Sequence, residues 1–250
     1  MSLEQSIAEL TGQAALLMDL PDQIADAATG QITRVGDRYD SILASQSVTV
    51  YVDQENGDDA NNGDEATPLK TIQAALNLTP GGGVCFVRLM NAYHVDADIT
   101  VRNKHLTIYG HNAIRHEITF ERYVSGQYCA LCCFKMIGSA TIVMHTVRIA
   151  IPELGTYSQY LTANTGLFAT IGSTYWTPLM VTFSSCEIAI PAAPFTYLFP
   201  GTHLIAALFS SCTYPGAISN PLGRVFRDQP NTSGVSASSL PWLMTNLATV

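Results

Sequence analysis

Charge is scarce in this chain. Asp, Glu, Lys and Arg make up 13% of its 250 residues, about half of the roughly 25% usual in soluble domains. A surface with so few charges is often hidden in an oligomer. Basic residues are scarcer still, 12 against 20 acids, for a net charge of −8. That balance argues against a general nucleic-acid binder. No window holds the ~18 continuous apolar residues of a membrane span. The opening MSLEQSIAEL has no basic segment leading into an apolar core, so no secretory signal is expected there.

Catalytic signatures are missing too. The six histidines, His94, His105, His111, His116, His145 and His203, show neither HxxxH nor HExxH spacing. There is no GxSxG and no phosphate loop. Cys129 and Cys132 have CxxC spacing, but no second pair accompanies them, as a zinc site would require. Cys85, Cys133, Cys186 and Cys212 complete the set, and six reduced core thiols are expected. No cofactor and no metal site is expected.

Acids are unevenly spread. Fifteen of the 20 precede residue 100, and only Glu117, Glu121, Glu153, Glu187 and Asp228 follow. Two unlike parts are implied, residues 1–46 and 47–250. In the first, Leu3, Ile7, Leu10, Ala14 and Leu17 alternate in steps of four and three, the seam of a heptad. Pro21 marks a break and suits the first turn of a new helix. The spacing resumes at Ile24 and Ala28, then at Ile32, Val35, Tyr39 and Ile42 after a stutter near Gly30. Two arrangements fit: a helical hairpin packed on the second part, or a short parallel coiled coil. The narrow stripe favours the coiled coil, and Ile at both seam positions favours three strands.

The second part reads as short strands with a period of two. The class is mainly β, with sandwich, barrel and solenoid all open. Internal repeats favour the solenoid. "RIAIP" at Arg148 returns as "EIAIP" at Glu187, and "FSSC" at Phe183 returns at Phe209. "IYG" at Ile108 returns as "MIG" at Met136. The two shorter spacings suit single coils of a parallel β-helix, and the longest, from Arg148 to Glu187, suits a coil with an inserted loop at residues 153–165. Alternation then points Val147, Ile149 and Ile151 inward with Cys186, Ile188 and Ile190, places Cys212 beneath Cys186, and turns Arg148 and Glu187 outward as neighbours. By the same count His145 faces inward.

One stretch carries a resemblance. It runs Val50-Tyr51-Val52-Asp53, Asn56-Gly57-Asp58-Asp59, Asn62-Gly63, then Thr67-Pro68-Leu69-Lys70-Thr71-Ile72-Gln73-Ala74-Ala75. It resembles the opening of pectate-lyase-like right-handed β-helix proteins, an opening common in bacteriophage tail fibres and tailspikes. The likeness covers residues 48 to about 110, and beyond them it is one of style. It implies a right-handed parallel β-helix with an N-terminal cap, and an N-terminal stem for trimerisation or virion attachment. The expected cap is a helix near 68–78, with Thr67 as N-cap, Pro68 in the first turn, and Ile72, Ala75 and Leu76 on the apolar stripe. The Asn/Asp/Gly loop before it fits no EF-hand register.

The resemblance implies a homotrimeric virion fibre, assembled in the host cytoplasm, in contact with other tail or baseplate proteins and with a host-surface glycan. The rival is a tailspike-type polysaccharide depolymerase. Glycoside hydrolysis needs two carboxylates about 5–9.5 Å apart, and Glu117 and Glu121, four strand residues apart, are expected ~13 Å from each other. Two loops flanking residues 167–172 present Tyr157, Tyr160, Tyr175 and Trp176. Such rings suit either a sugar or a neighbouring subunit.

Overall fold

The computed structural model describes residues 5, 8–9, 11, 29–31, 45–125, 128–153, 160–161, 166–170, 179–191, 205–215 and 243–244. The chain divides into two units, Met1–Ser45 and Gln46–Val250. In the first, Gln5, Ala8, Glu9, Thr11, Ser45 and residues 29–31 are helical. The stem residues Leu3, Ile7, Leu10, Leu17, Ile24, Ile32, Val35, Tyr39 and Ile42 lie outside the described residues.

The second unit is mainly β, and among the described residues its sheets are parallel apart from one antiparallel strand pair. Seven strands form the largest sheet, in the order β1 (Ser47–Val52), β2 (Val84–Leu89), β5 (His105–Gly110), β10 (Thr141–His145), β14 (Leu179–Ser184), β16 (Ile205–Ser210) and β17 (Leu243–Met244). A second sheet holds β3 (Tyr93–Val95), β6 (His116–Phe120), β11 (Val147–Ala150) and β15 (Glu187–Ala189). A third holds β4 (Ile99–Arg102), β9 (Phe134–Ile137) and β13 (Phe168–Thr170). The antiparallel pair β7 (Arg122–Ser125) and β8 (Tyr128–Leu131) is joined by β12 (Tyr160–Leu161), which runs parallel to β8. The chain visits the large, second and third sheets in that order three times: β2-β3-β4, β5-β6-β9 and β10-β11-β13.

Alternation decides what these passes bury. Val50, Val87, Ile108, Met144, Phe183 and Phe209 stand in one register column of the large sheet, all at most 1% exposed. Cys85, Leu106, Ile142, Val181 and Ala207 form the next column. Ile118, Ile149 and Ile188 do the same in the second sheet. Phe134 stacks on Phe168 at 5.5 Å, and Phe183 on Phe209 at 4.9 Å. Each such side chain contributes roughly 1.5–3 kcal/mol of burial, and together they form one contiguous core.

Two of the three sequence repeats coincide with the register. Arg148 pairs with Glu187, and Phe183 pairs with Phe209. The third does not. Ile108 pairs with Met144 in the large sheet, whereas Met136 belongs to the third sheet and pairs with Val101. His145 also departs from expectation. It follows buried Met144 and points outward, because Thr146 adopts φ 54° and resets the alternation before Val147. Ser185 (φ 54°) and Ser211 (φ 55°) make the same left-handed corner after β14 and β16. These corners cost about 1–2 kcal/mol each in L-residues. Backbone bonds between passes offset that cost: Thr146 N donates to Ser184 O (3.1 Å) and Ser185 N to Ser210 O (2.8 Å).

The first strand of every parallel sheet would expose an edge, and here each edge is met by the segment between β1 and β2. Along β1 the contact is main chain: Tyr51 N donates to Gly63 O (2.7 Å), Leu69 N to Tyr51 O (2.9 Å) and Asp53 N to Leu69 O (2.9 Å). At β3 it is the Gln54 side chain, and at β4 the Gln73 side chain, whose Oε1 accepts from Thr100 N at 2.8 Å. The Asn/Asp/Gly loop is built from turns. Asp58 accepts from Ala60 N, and Asp59 accepts from Lys70 N, Thr71 N and Thr71 Oγ1. Asp53 accepts from Glu55 N, Asn56 N and Asn91 Nδ2. Slight burial works to raise the Asp53 pKa, but the hydrogen bonds outweigh it and hold the carboxyl below its ordinary value. Gly57 is required where the chain crosses itself, since a Cβ there would lie 2.3 Å from Leu69 O.

The helix of this segment, α1 (Ile72–Leu78), starts later than expected. Its N-cap is Thr71, whose side chain accepts from Ala74 N, and not Thr67. Thr67 lies in a bridge with Asp64, and Leu69 pairs with Val52, so Thr67 and Pro68 belong to extended chain. Asp59 explains the difference, because it ties down both Lys70 N and Thr71 N just before the first turn. Ile72, Ala75 and Leu76 enter the core at 0%, 0% and 1% exposure.

Candidate functional site

The three sheets present very different outer faces. On the second, Arg148 Nε lies 3.1 Å from Glu117 Oε1 and 3.2 Å from Glu187 Oε1, with Arg115 4.0 Å from Glu187. The third pairs Lys135 with Asp98. On the large sheet, the outward positions among the described residues carry no Asp or Glu. They run Ser47, Thr49 and Tyr51 on β1, then Val84, Phe86 and Arg88 on β2, and His105, Thr107 and Tyr109 on β5. Thr141, Val143 and His145 on β10 and Met180, Thr182 and Ser184 on β14 continue them. In a chain of net charge −8, this face carries Arg88 and mixes hydroxyl side chains with aromatic rings and a few aliphatic groups.

Its centre is a ladder of rings. Phe86 meets Tyr109 at 6.3 Å, and Tyr109 meets His145 at 5.4 Å. The Arg88 guanidinium sits 4.4 Å above the Tyr109 ring, a contact worth about 0.5–1 kcal/mol. At one end Tyr51 packs edge-on to His111, whose Nε2 lies 3.3 Å from Glu65 Oε1. His105 bonds to Thr141 Oγ1, and burial pushes its pKa below the ordinary value, disfavouring the charged ring. Met180 is 48% exposed beside these rows. Flat rings with polar tips are side chains that suit contact surfaces.

The acids weighed for hydrolysis are engaged elsewhere. Glu117 and Glu187 share Arg148. Glu121 Oε2 lies 2.9 Å from His94 Nε2, and the other ring nitrogen of His94 bonds to Thr119 Oγ1 at 2.8 Å. Glu121 follows the last residue of β6, Phe120, and meets the same His94 ring as Thr119, on the outer side where Glu117 also lies. Asp228 lies outside the described residues. Among the described residues, no group of three or more His, Cys, Asp or Glu is placed to hold a metal ion.

Five cysteines, Cys85, Cys132, Cys133, Cys186 and Cys212, are buried free thiols. Burial pushes the Cys133 pKa up to about 12. The hydrogen bond between the Cys186 and Cys212 thiols, reinforced by burial, raises the Cys186 pKa and keeps it protonated. They act as small apolar filler between passes.

Of the aromatic residues singled out in sequence, Tyr160 lies in β12 and pairs with Tyr128. Tyr157, Tyr175 and Trp176 lie outside the described residues. The outer-face ladder escapes sequence reasoning because Phe86, Tyr109 and His145 come from three distant strands. Its one signal is the polar-side position of an aromatic in each alternating run. Comparison with protein-family models, with curated proteins and with solved structures gives no match. No helix of the described residues is long and apolar enough to cross a membrane.

Proposed function

We propose that this chain is a structural fibre protein of a bacteriophage virion, homotrimeric, with a coiled-coil stem over residues 1–46 and a right-handed parallel β-helix body. It serves tail architecture or host-surface attachment. The stem meets other tail or baseplate proteins, and the body meets its own copies and a host-surface glycan.

The observation that carries this is the role of the fibre-like stretch itself. Residues 54–73 meet the first edge of all three parallel sheets, by backbone from Gly63 and Leu69 and by the Gln54 and Gln73 side chains. An elongated parallel stack needs such an end, because unpaired edges recruit other chains. The acid-free outer face of the large sheet supports lateral packing of copies, since interface centres are depleted of charge and rich in aromatics.

Native mass measurement on the full chain tests the assembly, and incubation with host-surface polysaccharide tests the role. A three-chain particle that binds without shortening the polysaccharide fits a structural fibre. Released oligosaccharides would instead make it a depolymerase.

A further inference from the structure

Cys186 and Cys212 stand one above the other in successive passes. Ser184 pairs with Ser210 before them and Glu187 bridges to Thr213 after them, so one register sets Cys186 opposite Cys212. The corners repeat as well. Ser185 at φ 54° and Ser211 at φ 55° turn both thiols into the core, at 0% and 5% exposure. Backbone bonds fix the two passes here: Ser185 N donates to Ser210 O (2.8 Å), Thr213 N to Cys186 O (2.9 Å) and Ile188 N to Thr213 O (2.9 Å). In-register neighbours on adjacent strands stand about 4.8 Å apart, and a disulfide spans Cα separations of about 4.4–6.8 Å. Cys212 Sγ lies 3.4 Å from Phe183 O, in the pass that carries Cys186, and the two thiols are hydrogen-bonded to each other.

The other described thiols are set differently. Cys132 Sγ lies 3.2 Å from Asp96 O, and Cys133 Sγ 3.7 Å from Asp98 Oδ1. Burial, joined at Cys132 and Cys133 by the charge of Asp98, holds both of them and Cys85 above the ordinary thiol pKa. At Cys212 the hydrogen bond with Cys186, helped by backbone donors and by the charge of Arg115, outweighs burial and holds the pKa below that of an ordinary thiol. The thiolate is the reactive form of cysteine. Cys212 is therefore the attacking sulfur of the pair, and Cys186 the one placed to resolve it.

We propose that Cys186 and Cys212 form a peroxide-sensitive dithiol, which closes to a disulfide and staples the passes of β14 and β16. The Cys212 thiolate attacks one oxygen of a peroxide and breaks the O–O bond. Cys212 becomes a sulfenic acid, and the departing hydroxide leaves as water with the proton that the thiol gave up. The Cys186 sulfur then attacks the sulfenic sulfur. The S–S bond forms, the S–O bond breaks, and the second hydroxide leaves as water with the Cys186 proton. Two thiols are oxidised to one disulfide, and one hydrogen peroxide is reduced to two waters. In a reducing compartment the pair stays open, and in an oxidising one it closes. This goes beyond the fibre reading and does not depend on it, because it stands on the register of one chain.

Treatment of the folded full chain with hydrogen peroxide, followed by alkylation on unfolding and peptide mapping, tests it. The chain has six cysteines, and two free thiols should be lost together, with a mass loss of two hydrogens and one cross-linked peptide pair joining Cys186 to Cys212. Dithiothreitol should restore all six. Cys186→Ser should stop at a sulfenic acid on Cys212 that dimedone captures. Cys212→Ser should keep every remaining thiol under the same treatment. Mapping of the parent protein decides the matter even where a variant folds poorly. Six free thiols after peroxide, a cross-link between other cysteines, or sulfinic acid on Cys212 without a cross-link would each overturn the proposal.

Discussion

Gln54 pairs with His94 as a neighbouring strand would. Its Oε1 accepts from His94 N at 2.6 Å and its Nε2 donates to His94 O at 2.8 Å. One side-chain amide thus satisfies both main-chain groups on the free edge of β3. Gln73 meets the Thr100 amide on the free edge of β4 in the same manner. A glutamine amide has the donor and acceptor of a peptide unit, so it can stand where no further strand is available.

Gln54→Ala should therefore leave two partly buried main-chain groups unpaired. The expected cost is about 1–3 kcal/mol, with faster hydrogen exchange at the His94 amide than in the parent protein. Gln73→Ala should speed exchange at Thr100 without touching His94. Unchanged exchange at both amides would mean that the side chains do not close these edges.

The helix that covers the first pass is tested by two substitutions on its two faces. Ile72 is fully buried, and Leu78 is 49% exposed. Ile72→Asp places a charge in the core and should cost about 3 kcal/mol or more. Leu78→Asp should change stability by no more than about 0.5 kcal/mol. Equal melting temperatures for the two variants would place the helix free in solvent.

Stability should also depend on pH in a defined window. His116 Nε2 is buried without a hydrogen-bond partner. Burial, and then the charge of nearby His111, holds its pKa below the ordinary 6.5. His105 is held down by burial alone. Below 6.5 the unfolded chain takes up protons that the folded rings resist. The contribution of these two rings should therefore be steady above that value and be lost as pH drops through the lower folded values. Asp53 adds its own loss only below 3.8. Thermal melts across this range should show the decline, and the double variant His105→Gln, His116→Gln should flatten it. A decline of equal size in that variant would assign it to other groups.

How much of this is legible in the sequence differs from residue to residue. Alternation within one run is sufficient to place Val147, Ile149, Cys186 and Ile188 inside and to pair Arg148 with Glu187. It fails across a corner. Thr146 takes a left-handed backbone that the identity Thr does not announce, so simple alternation carries His145 to the wrong face. Matching Ile108 with Met136 fails for a related reason. Passes through the large sheet vary in length: Val87 is followed in its column by Ile108, but Met144 only by Phe183, with a much longer excursion between them. A fixed interval therefore misassigns strands. The helix start is misplaced by about one turn, because Thr67 followed by Pro68 reads as a cap while the helix is capped by Thr71. The group that sets the start, Asp59, lies 12 residues before Thr71. Edge closure by Gln54 joins positions 40 residues apart, and nothing local marks it.

Assembly is where the fibre proposal is most exposed, and native mass spectrometry of the full chain addresses it directly. Each chain has a mass of 26.9 kDa. A single species of about three chains that persists on dilution, and loosens when residues 1–45 are removed, is the expected result. A monodisperse monomer, or a dimer stable on dilution, would contradict it.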